Sequence, residues 1–446
     1  METPENKPTP GAVERFNLWL SSSVTVSIFS ITILVLLLMI PNAMIQDIIR
    51  ERQFTSDTAI REVSAIWGHS QTVAGPVISI PYLTFTEDKD GERTYYKHWS
   101  HFLPEELNVD ALVTSEKRER GIYEVIVYNS KMTVSGSFNR PNPIPLNIAP
   151  DQFLLKDAVL SMGIPDMRGI NEKVNLNFND TVAEFQPGIP TNEVFSEGIS
   201  VRMPIGEGES FAFEIDLDLK GSQALSFIPL GRETQVNMNS DWPHPSFEGA
   251  FLPDAHDITE TGFTATWKVL DLNRNFPQAW TGERSGMYES SFGFQLFMPN
   301  DHYQQSMRSA KYAIMFISLT FMVFFFMETV NKKRIHPIQY ILVGLALSIF
   351  FVLILSLSEF IGFNAAYGVG ALATTILITA YSSSILTSRK LTAFMAGLLT
   401  VMYGFIYTIL QLEDTALLVG SIGLFIILAI VMIWSRKVDW YKGVNK

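Results

Sequence analysis

The sequence predicts a membrane α-helical protein with a β-rich extracytoplasmic domain. Three observations predict this fold class: six apolar runs without charge, a long intervening segment with strand-like alternation, and Lys and Arg residues that recur in every second loop. The composition agrees, because only 17% of the 446 residues are charged, whereas soluble domains carry about 25%. The net charge of −12 argues against a nucleic-acid-binding protein, which would need a basic face.

The apolar runs are close to the length of a membrane span. A bilayer core about 30 Å thick requires about 20 helical residues, and one central Lys would offset about six leucines. The six charge-free runs cover residues 24–40, 313–327, 338–357, 363–386, 391–410 and 416–434. The first run is longer than the apolar core of a secretory signal, and no small-residue cleavage site follows it. We therefore interpret residues 24–44 as an uncleaved anchor.

The distribution of basic residues predicts the orientation. Lys332, Arg389 and Arg436 follow the second, fourth and sixth runs, whereas Glu359 and Glu413 follow the third and fifth. Because basic loops stay in the cytoplasm, both chain ends are predicted inside, and the long middle segment lies across the membrane. The predicted domains are a cytoplasmic tail (1–23), an anchor (24–44), a stalk helix (45–70), a β-rich domain (71–309), five transmembrane helices (310–434) and a cytoplasmic tail (435–446).

The middle segment has mostly strand character. Apolar residues first recur at helical spacing from Ile45 to Trp67, and we expect Gly75-Pro76 to end this stalk helix. Alternation then dominates, as in FAFEIDLDL at Phe211 to Leu219, which has apolar residues on one face and acids on the other. The pattern favours antiparallel sandwich or barrel-like sheets, in one large or two smaller modules. FLPEEL at 102–107 and FLPDAH at 251–256 resemble each other and suggest an internal duplication.

Few residues carry recognisable chemistry. The absence of cysteine excludes disulfides and thiolate sites. His98 and His101 are three residues apart, so in a strand they point to opposite faces; we interpret them as surface or half-buried imidazoles and not as a metal pair. No nucleophile elbow, P-loop or dinucleotide fingerprint is present. We assign no catalytic, cofactor-binding or metal-binding residue, and we expect a protein that is not an enzyme.

Several sequence words are spread over almost the whole chain. They are GPVISIP at 75–81, HFLPEEL at 101–107, RGIY at 120–123, WPHPSF at 242–247 and HPIQYILVGL at 336–345. Together with one anchor, a β-rich outer domain and five closing spans, they resemble the CreD family of bacterial inner-membrane proteins. The resemblance implies a cell-envelope integrity protein of the Gram-negative inner membrane, connected with an envelope stress response. It brings no catalytic residue or cofactor with it.

The preferred hypothesis is a non-enzymatic inner-membrane protein whose periplasmic β domain binds or braces an envelope component. Its expected partners are the lipid bilayer and envelope proteins, lipids or peptidoglycan components, with no nucleic acid. Trp242 to Phe247 is the predicted exposed functional loop, with a plug in the sheet core as the alternative. A second hypothesis is a transporter or lipid-handling protein that uses the polar face Thr374 to Ser384. A third is an envelope hydrolase that gathers His98, His101 or His244 with a carboxylate.

Overall fold

The computed structural model describes residues 24–179, 181–284, 286–296, 298, 302–331, 335–386, 388–412 and 415–436. The chain divides into two compact units, which we call the helical unit (Met1–Thr55 with Asn300–Lys446) and the β domain (Ser56–Pro299). The predicted tail 1–23, Lys332, Glu413 and the residues after 436 lie outside the described residues.

The predicted anchor and stalk form one continuous helix, α1 (Val24–Trp67). It ends where Gly68 adopts a φ of 143°, a backbone conformation that favours glycine. Gly75-Pro76 therefore does not end the helix, and that prediction was wrong. The dipeptide lies inside a strand, where the pairing register shifts between Ala74 and Val77. Such a bulge accommodates a proline, because the regular ladder hydrogen bond is already interrupted there.

The described part of the β domain contains two sheets, one of nine and one of eight strands. In chain order, the strands are β1 (Gln71–Glu87), β2 (Arg93–Phe102), β3 (Glu106–Arg120), β4 (Tyr123–Asn139), β5 (Val159–Gly163), β6 (Asn175–Phe178), β7 (Thr181–Glu184), β8 (Gln186–Pro187), β9 (Gly198–Arg202), β10 (Ser210–Ser222), β11 (Ala224–Phe227), β12 (Glu233–Ser240), β13 (Pro245–Gly249), β14 (Ala255–Thr259), β15 (Gly262–Leu270), β16 (Ala279–Thr281) and β17 (Phe292–Leu296).

The first sheet has the order β13-β17-β11-β1-β5-β9-β8, and β2 pairs with both β1 and β16. The second sheet has the order β14-β15-β12-β3-β4-β10-β6-β7. Most neighbours are antiparallel, as the alternation predicts. The pairs β1–β11 and β3–β12 are parallel, so both sheets are mixed, which the prediction of antiparallel sheets did not include. Each parallel pair joins strands that are far apart in the chain, and alternation within a strand carries no signal for that pairing.

One hydrophobic core connects the two sheets. Its buried residues come from strands of both sheets, and Tyr128, Phe138 and Trp267 are among the largest side chains that are fully buried. On β10 the alternation is as predicted, because Phe211 and Ile215 are buried and Glu214 is exposed. The two similar FLP words have similar positions, since each lies between a strand of the first sheet and a strand of the second.

The helical unit contains six further helices in its described residues. They are α2 (His302–Lys311), α3 (Ala313–Asn331), α4 (Pro337–Ile361), α5 (Phe363–Leu386), α6 (Arg389–Gln411) and α7 (Ala416–Ser435). The β-rich region ends earlier than the predicted residue 309, because the last strand ends at Leu296 and α2 begins at His302. α2 is polar for most of its length, so a search for charge-free apolar runs does not detect it.

Several of these helices can cross a membrane by length and composition. Among the described residues, four qualify alone: Ile28–Trp67, Pro337–Ile361, Phe363–Ile385 and Arg389–Gln411. A fifth is obtained if α2 and α3, bent by 40°, are one broken span, and Leu418–Ile433 is apolar but shorter. One N-terminal and several C-terminal apolar helices are thus present. The count of six spans stays a prediction.

Candidate functional site

A groove of the β domain lies on the outer face of the second sheet. It has a volume of about 920 Å³ and is lined by residues of β3, β4, β6, β10, β12 and β15. Strand register places one row of polar residues across these six strands. The row, in spatial order, is Thr266, Asn237, Asp110, Thr133, Asp216 and Asn175. Their chain neighbours point into the core, as expected from the period of two.

Hydrogen bonds between side chains fix part of this row. Asn237 Nδ2 donates to Asp110 Oδ1 over 2.8 Å, and Thr133 Oγ1 donates to Asp216 Oδ1 over 2.9 Å. Close by, Asn171 Nδ2 donates to Asp218 Oδ1 over 2.6 Å. Each carboxylate keeps a second oxygen, so the row retains acceptors of fixed orientation. A rigid sheet that holds oriented polar groups is a suitable frame for binding.

Sequence reasoning interpreted the acidic residues of 211–218 only as a solvated sheet face. They do face solvent, because Glu214 and Asp216 are exposed. The groove was missed because it needs six strands in register, and two of them, β3 and β4, lie far upstream of β10 in the chain. No local sequence pattern records that arrangement.

His98 and His101 point to opposite faces of β2, as predicted. His98 is exposed, whereas His101 has 0% exposure, so the expectation of a surface or half-buried imidazole was wrong for His101. The reason is that β2 has paired neighbours on both sides at this position, Ser79 of β1 and Trp280 of β16. The Trp280 ring lies 5.3 Å from the imidazole, centroid to centroid.

His101 connects a serine to a carboxylate. Its Nε2 lies 3.0 Å from Glu193 Oε2, and its Nδ1 lies 2.9 Å from Ser79 Oγ. Because a carboxylate only accepts hydrogen bonds, Nε2 donates to Glu193. In neutral His101, Nδ1 then accepts a hydrogen bond from the Ser79 hydroxyl. Burial lowers the pKa of His101 below its usual value of 6.5, although the hydrogen bond and charge of Glu193 oppose this.

These three residue types form the catalytic group of many hydrolases. Here Ser79 is only 2% exposed, and neither it nor His101 lines the groove on the second sheet. The arrangement satisfies buried polar groups inside the first sheet. His244 lies apart from it: its backbone oxygen accepts a hydrogen bond from Trp242 Nε1 over 3.0 Å.

The segment Trp242 to Phe247 is not an exposed functional loop, so this prediction was wrong and its alternative was correct. Trp242 belongs to the hydrophobic core, and Phe247 packs against it. The Phe247 ring lies 5.6 Å from the Phe263 ring and 5.7 Å from the Trp267 ring. The segment therefore contributes one buried and one half-buried aromatic side chain to the packing of the sheets.

Within the β domain, the end of α1 is held against the sheets by a cluster around Arg168, which sequence reasoning missed. Arg168 Nη1 donates to Ala65 O in the last turn of the helix over 2.6 Å. Asp166 holds the guanidinium with two hydrogen bonds of 2.8 and 2.9 Å and also accepts from the backbone N of His69. The hydrogen bond from Arg168 lowers the pKa of Asp166 to about 2. Trp67 lies beneath Arg118 and Lys220.

In the helical unit, Glu359 at the end of α4 connects three helices. Its carboxylate pairs with Arg52 of α1 over 3.0 Å and accepts a hydrogen bond from Tyr303 of α2. An aromatic cluster fills the space between α3, α4 and α6, with the Tyr403 ring 4.9 Å from Phe316 and 4.6 Å from Phe350.

The polar face Thr374 to Ser384 is divided. Thr374 and Ser382 are buried, whereas Thr375 lines a groove of about 380 Å³ between α5 and α6, beside Gly368 and Gly404.

Within the described residues, no three His, Asp or Glu side chains are arranged to hold a metal ion.

Comparison with known proteins identifies the family. The family model described as "Inner membrane protein CreD" matches residues 23–441. The Escherichia coli (strain K12) protein named "Inner membrane protein CreD" is 35% identical over 419 residues, which cover 91% of each chain. The apolar helices of the present chain are those expected of a multi-pass inner-membrane protein. The chain therefore belongs to the CreD family of inner-membrane proteins.

Proposed function

We propose that this protein supports the integrity of the cell envelope without being an enzyme, and that its β domain binds or braces an envelope component in the periplasm. The groove on the second sheet carries this proposal. It is large, and its short polar side chains are held in place by a sheet whose other face is the hydrophobic core. The orientation rests on the basic loops, which predict the β domain on the outer side.

The chemistry of the groove favours binding over catalysis. The carboxylates of Asp110 and Asp216 accept hydrogen bonds from Asn237 and Thr133. These bonds hold the carboxylates in a fixed orientation, which suits recognition of a polar ligand. The Ser79–His101–Glu193 group is enclosed, so a substrate would have no route to the Ser79 hydroxyl without opening of the sheet. The helical unit then serves to hold the β domain at the membrane.

A photo-crosslinking amino acid placed in the groove tests this proposal in intact cells. At Thr133, it is expected to capture an envelope component. The matched control is the same amino acid at Leu272, which is 89% exposed and does not line the groove. A capture from Thr133 that is no stronger than the capture from Leu272 would contradict the proposal.

Lipid handling is the second candidate, and the groove between α5 and α6 favours it. This groove is almost entirely apolar, with Tyr367 and Tyr403 at its base. Filling it by Gly404→Trp would reduce lipid transfer between vesicles containing the reconstituted protein if the helices handle lipid. An unchanged transfer rate would count against this candidate.

A further inference from the structure

The geometry of the groove row fits an extended ligand. Neighbouring strands lie about 4.8 Å apart, so a row across six strands spans roughly 24 Å. The row runs across the strands, and it offers one polar side chain at each step. The step is comparable to the length of one sugar unit in an extended β-linked glycan, so each sugar can meet one polar side chain of the row.

The residue types in the row suit hydroxyl and acetamido groups. The Asp110 and Asp216 carboxylates are acceptors for sugar hydroxyls, while Asn175 and Thr266 can both donate and accept. The hydrogen bonds from Asn237 and Thr133 orient those carboxylates before a ligand arrives. Orientation in advance lowers the entropy that binding would otherwise cost.

The charge of the groove selects against anionic polymers. Its lining contains four acids but two bases. The acids are Asp110, Glu172, Asp216 and Asp218, and the bases are Lys131 and Lys173. Phosphorylated saccharides, nucleic acids and anionic lipid headgroups would be repelled at this surface. An uncharged polymer would not be.

Among the described residues that line the groove, none is aromatic, so the groove lacks the anchors of a typical protein interface. Leu112 is 54% exposed, and it is the single exposed large apolar side chain among the described lining residues. Protein interfaces have an apolar core rich in aromatic residues. One leucine among amides and hydroxyls can instead contact the apolar face of a sugar ring.

We infer that the groove binds the uncharged glycan backbone of the cell wall, a strand of N-acetylated sugars. This inference rests on the proposed function, because it names the ligand class of the same site. The glycan lies across the β-strands β15, β12, β3, β4, β10 and β6. Its hydroxyl groups contact Asp110 and Asp216, and its acetamido groups lie near Asn237 and Asn175.

Cosedimentation of the detergent-solubilised full chain with purified peptidoglycan sacculi tests the inference. We expect binding that is competed by soluble oligomers of β-linked N-acetylglucosamine, which carry N-acetyl groups and no charge. The double variant Asp110→Ala/Asp216→Ala is expected to lose affinity roughly tenfold or more. The control Asp151→Ala/Asp157→Ala makes the same charge change at exposed positions outside the groove and keeps the wild-type affinity.

Three outcomes would overturn the inference. One is equal binding by the two double variants, and another is failure of the N-acetylglucosamine oligomers to compete. The third is groove-dependent binding of lipopolysaccharide vesicles in place of sacculi; the proposed function would survive this result, because an envelope component is still bound. Failure of the proposed function is separate, since it requires that Thr133 captures nothing above the Leu272 control in cells.

Discussion

At the scale of single residues, His101 is a titratable group enclosed between a hydroxyl and a carboxylate. Burial is the main cause of its lowered pKa. The unfolded chain takes up a proton near the usual pKa of 6.5, and the folded chain does so only at lower pH. The stability that the neutral imidazole contributes is therefore present above pH 6.5 and is lost as the pH falls toward the folded pKa.

The variant His101→Gln is expected to remove part of this pH dependence. Thermal unfolding of the full chain in detergent, followed by tryptophan fluorescence, should show a smaller loss of stability between pH 7.5 and 5.5 than in the wild type. His98→Gln, on the exposed face of the same strand, should keep the wild-type pH dependence. A wild-type slope in His101→Gln would show that the buried imidazole does not cause it.

A substitution of Phe247 tests whether the segment Trp242 to Phe247 packs against the core or forms an exposed loop. Truncation by Phe247→Ala removes ring contacts of a half-buried side chain to Phe263 and Trp267 and should lower the free energy of unfolding by about 2 kcal/mol. The exposed control Tyr96→Ala should change it by about 0.5 kcal/mol or less. Denaturant unfolding measures both, and similar small changes in the two variants would favour an exposed loop after all.

The period of two in β2 was sufficient to place His98 and His101 on opposite faces. It was not sufficient to predict burial of His101, because the partner Glu193 comes from a loop 92 residues away. Such contacts depend on the tertiary fold and leave no local trace. The same holds for Arg168, whose turn-like surroundings gave no sign that it contacts the end of a helix.

At the scale of elements, the contact between the end of α1 and the sheets inside the β domain depends on Arg168. Its guanidinium joins a backbone oxygen at the C-terminal end of the helix to the Asp166 carboxylate. A cation at this end also interacts favourably with the helix dipole. The low pKa of Asp166 means that the pair contributes above pH 3.8 and is lost as the pH falls toward about 2.

Arg168→Met is expected to loosen the end of α1. Backbone amides of residues 60–67 should exchange with solvent several-fold faster at neutral pH, because the anchoring hydrogen bond to Ala65 O is removed. Lys173→Met removes an exposed cation paired with Glu184 and serves as the matched control. Unchanged exchange in Arg168→Met, measured by mass spectrometry, would contradict this role.

Elements were predicted well where hydropathy alone decides them. The apolar helices of the described residues coincide with charge-free runs, since a single central charge is costly in a bilayer. The polar helix α2 was not predicted, because its own residues do not form a charge-free apolar run. Gly75-Pro76 was assigned to the wrong element because the dipeptide is compatible with both a helix end and a strand bulge.

At the scale of the whole molecule, the groove depends on the order of the strands in the second sheet, which the sequence patterns did not predict. Each member of its row sits on an ordinary alternating strand. The row exists only because β3 and β12, which are distant in the chain, pair in parallel and in register. Fold class and membrane character follow from composition and periodicity, whereas the site follows from strand order.

The central claim is that the β domain and the basic loops lie on opposite sides of the inner membrane. Because the chain contains no cysteine, the single variants Asp90→Cys and Lys390→Cys can be labelled without background by a membrane-impermeant maleimide. Both positions are exposed, one in the β1–β2 turn and the other at the start of α6. We predict labelling of Asp90→Cys in intact spheroplasts, and labelling of Lys390→Cys only after permeabilisation. The reverse pattern would contradict the claim.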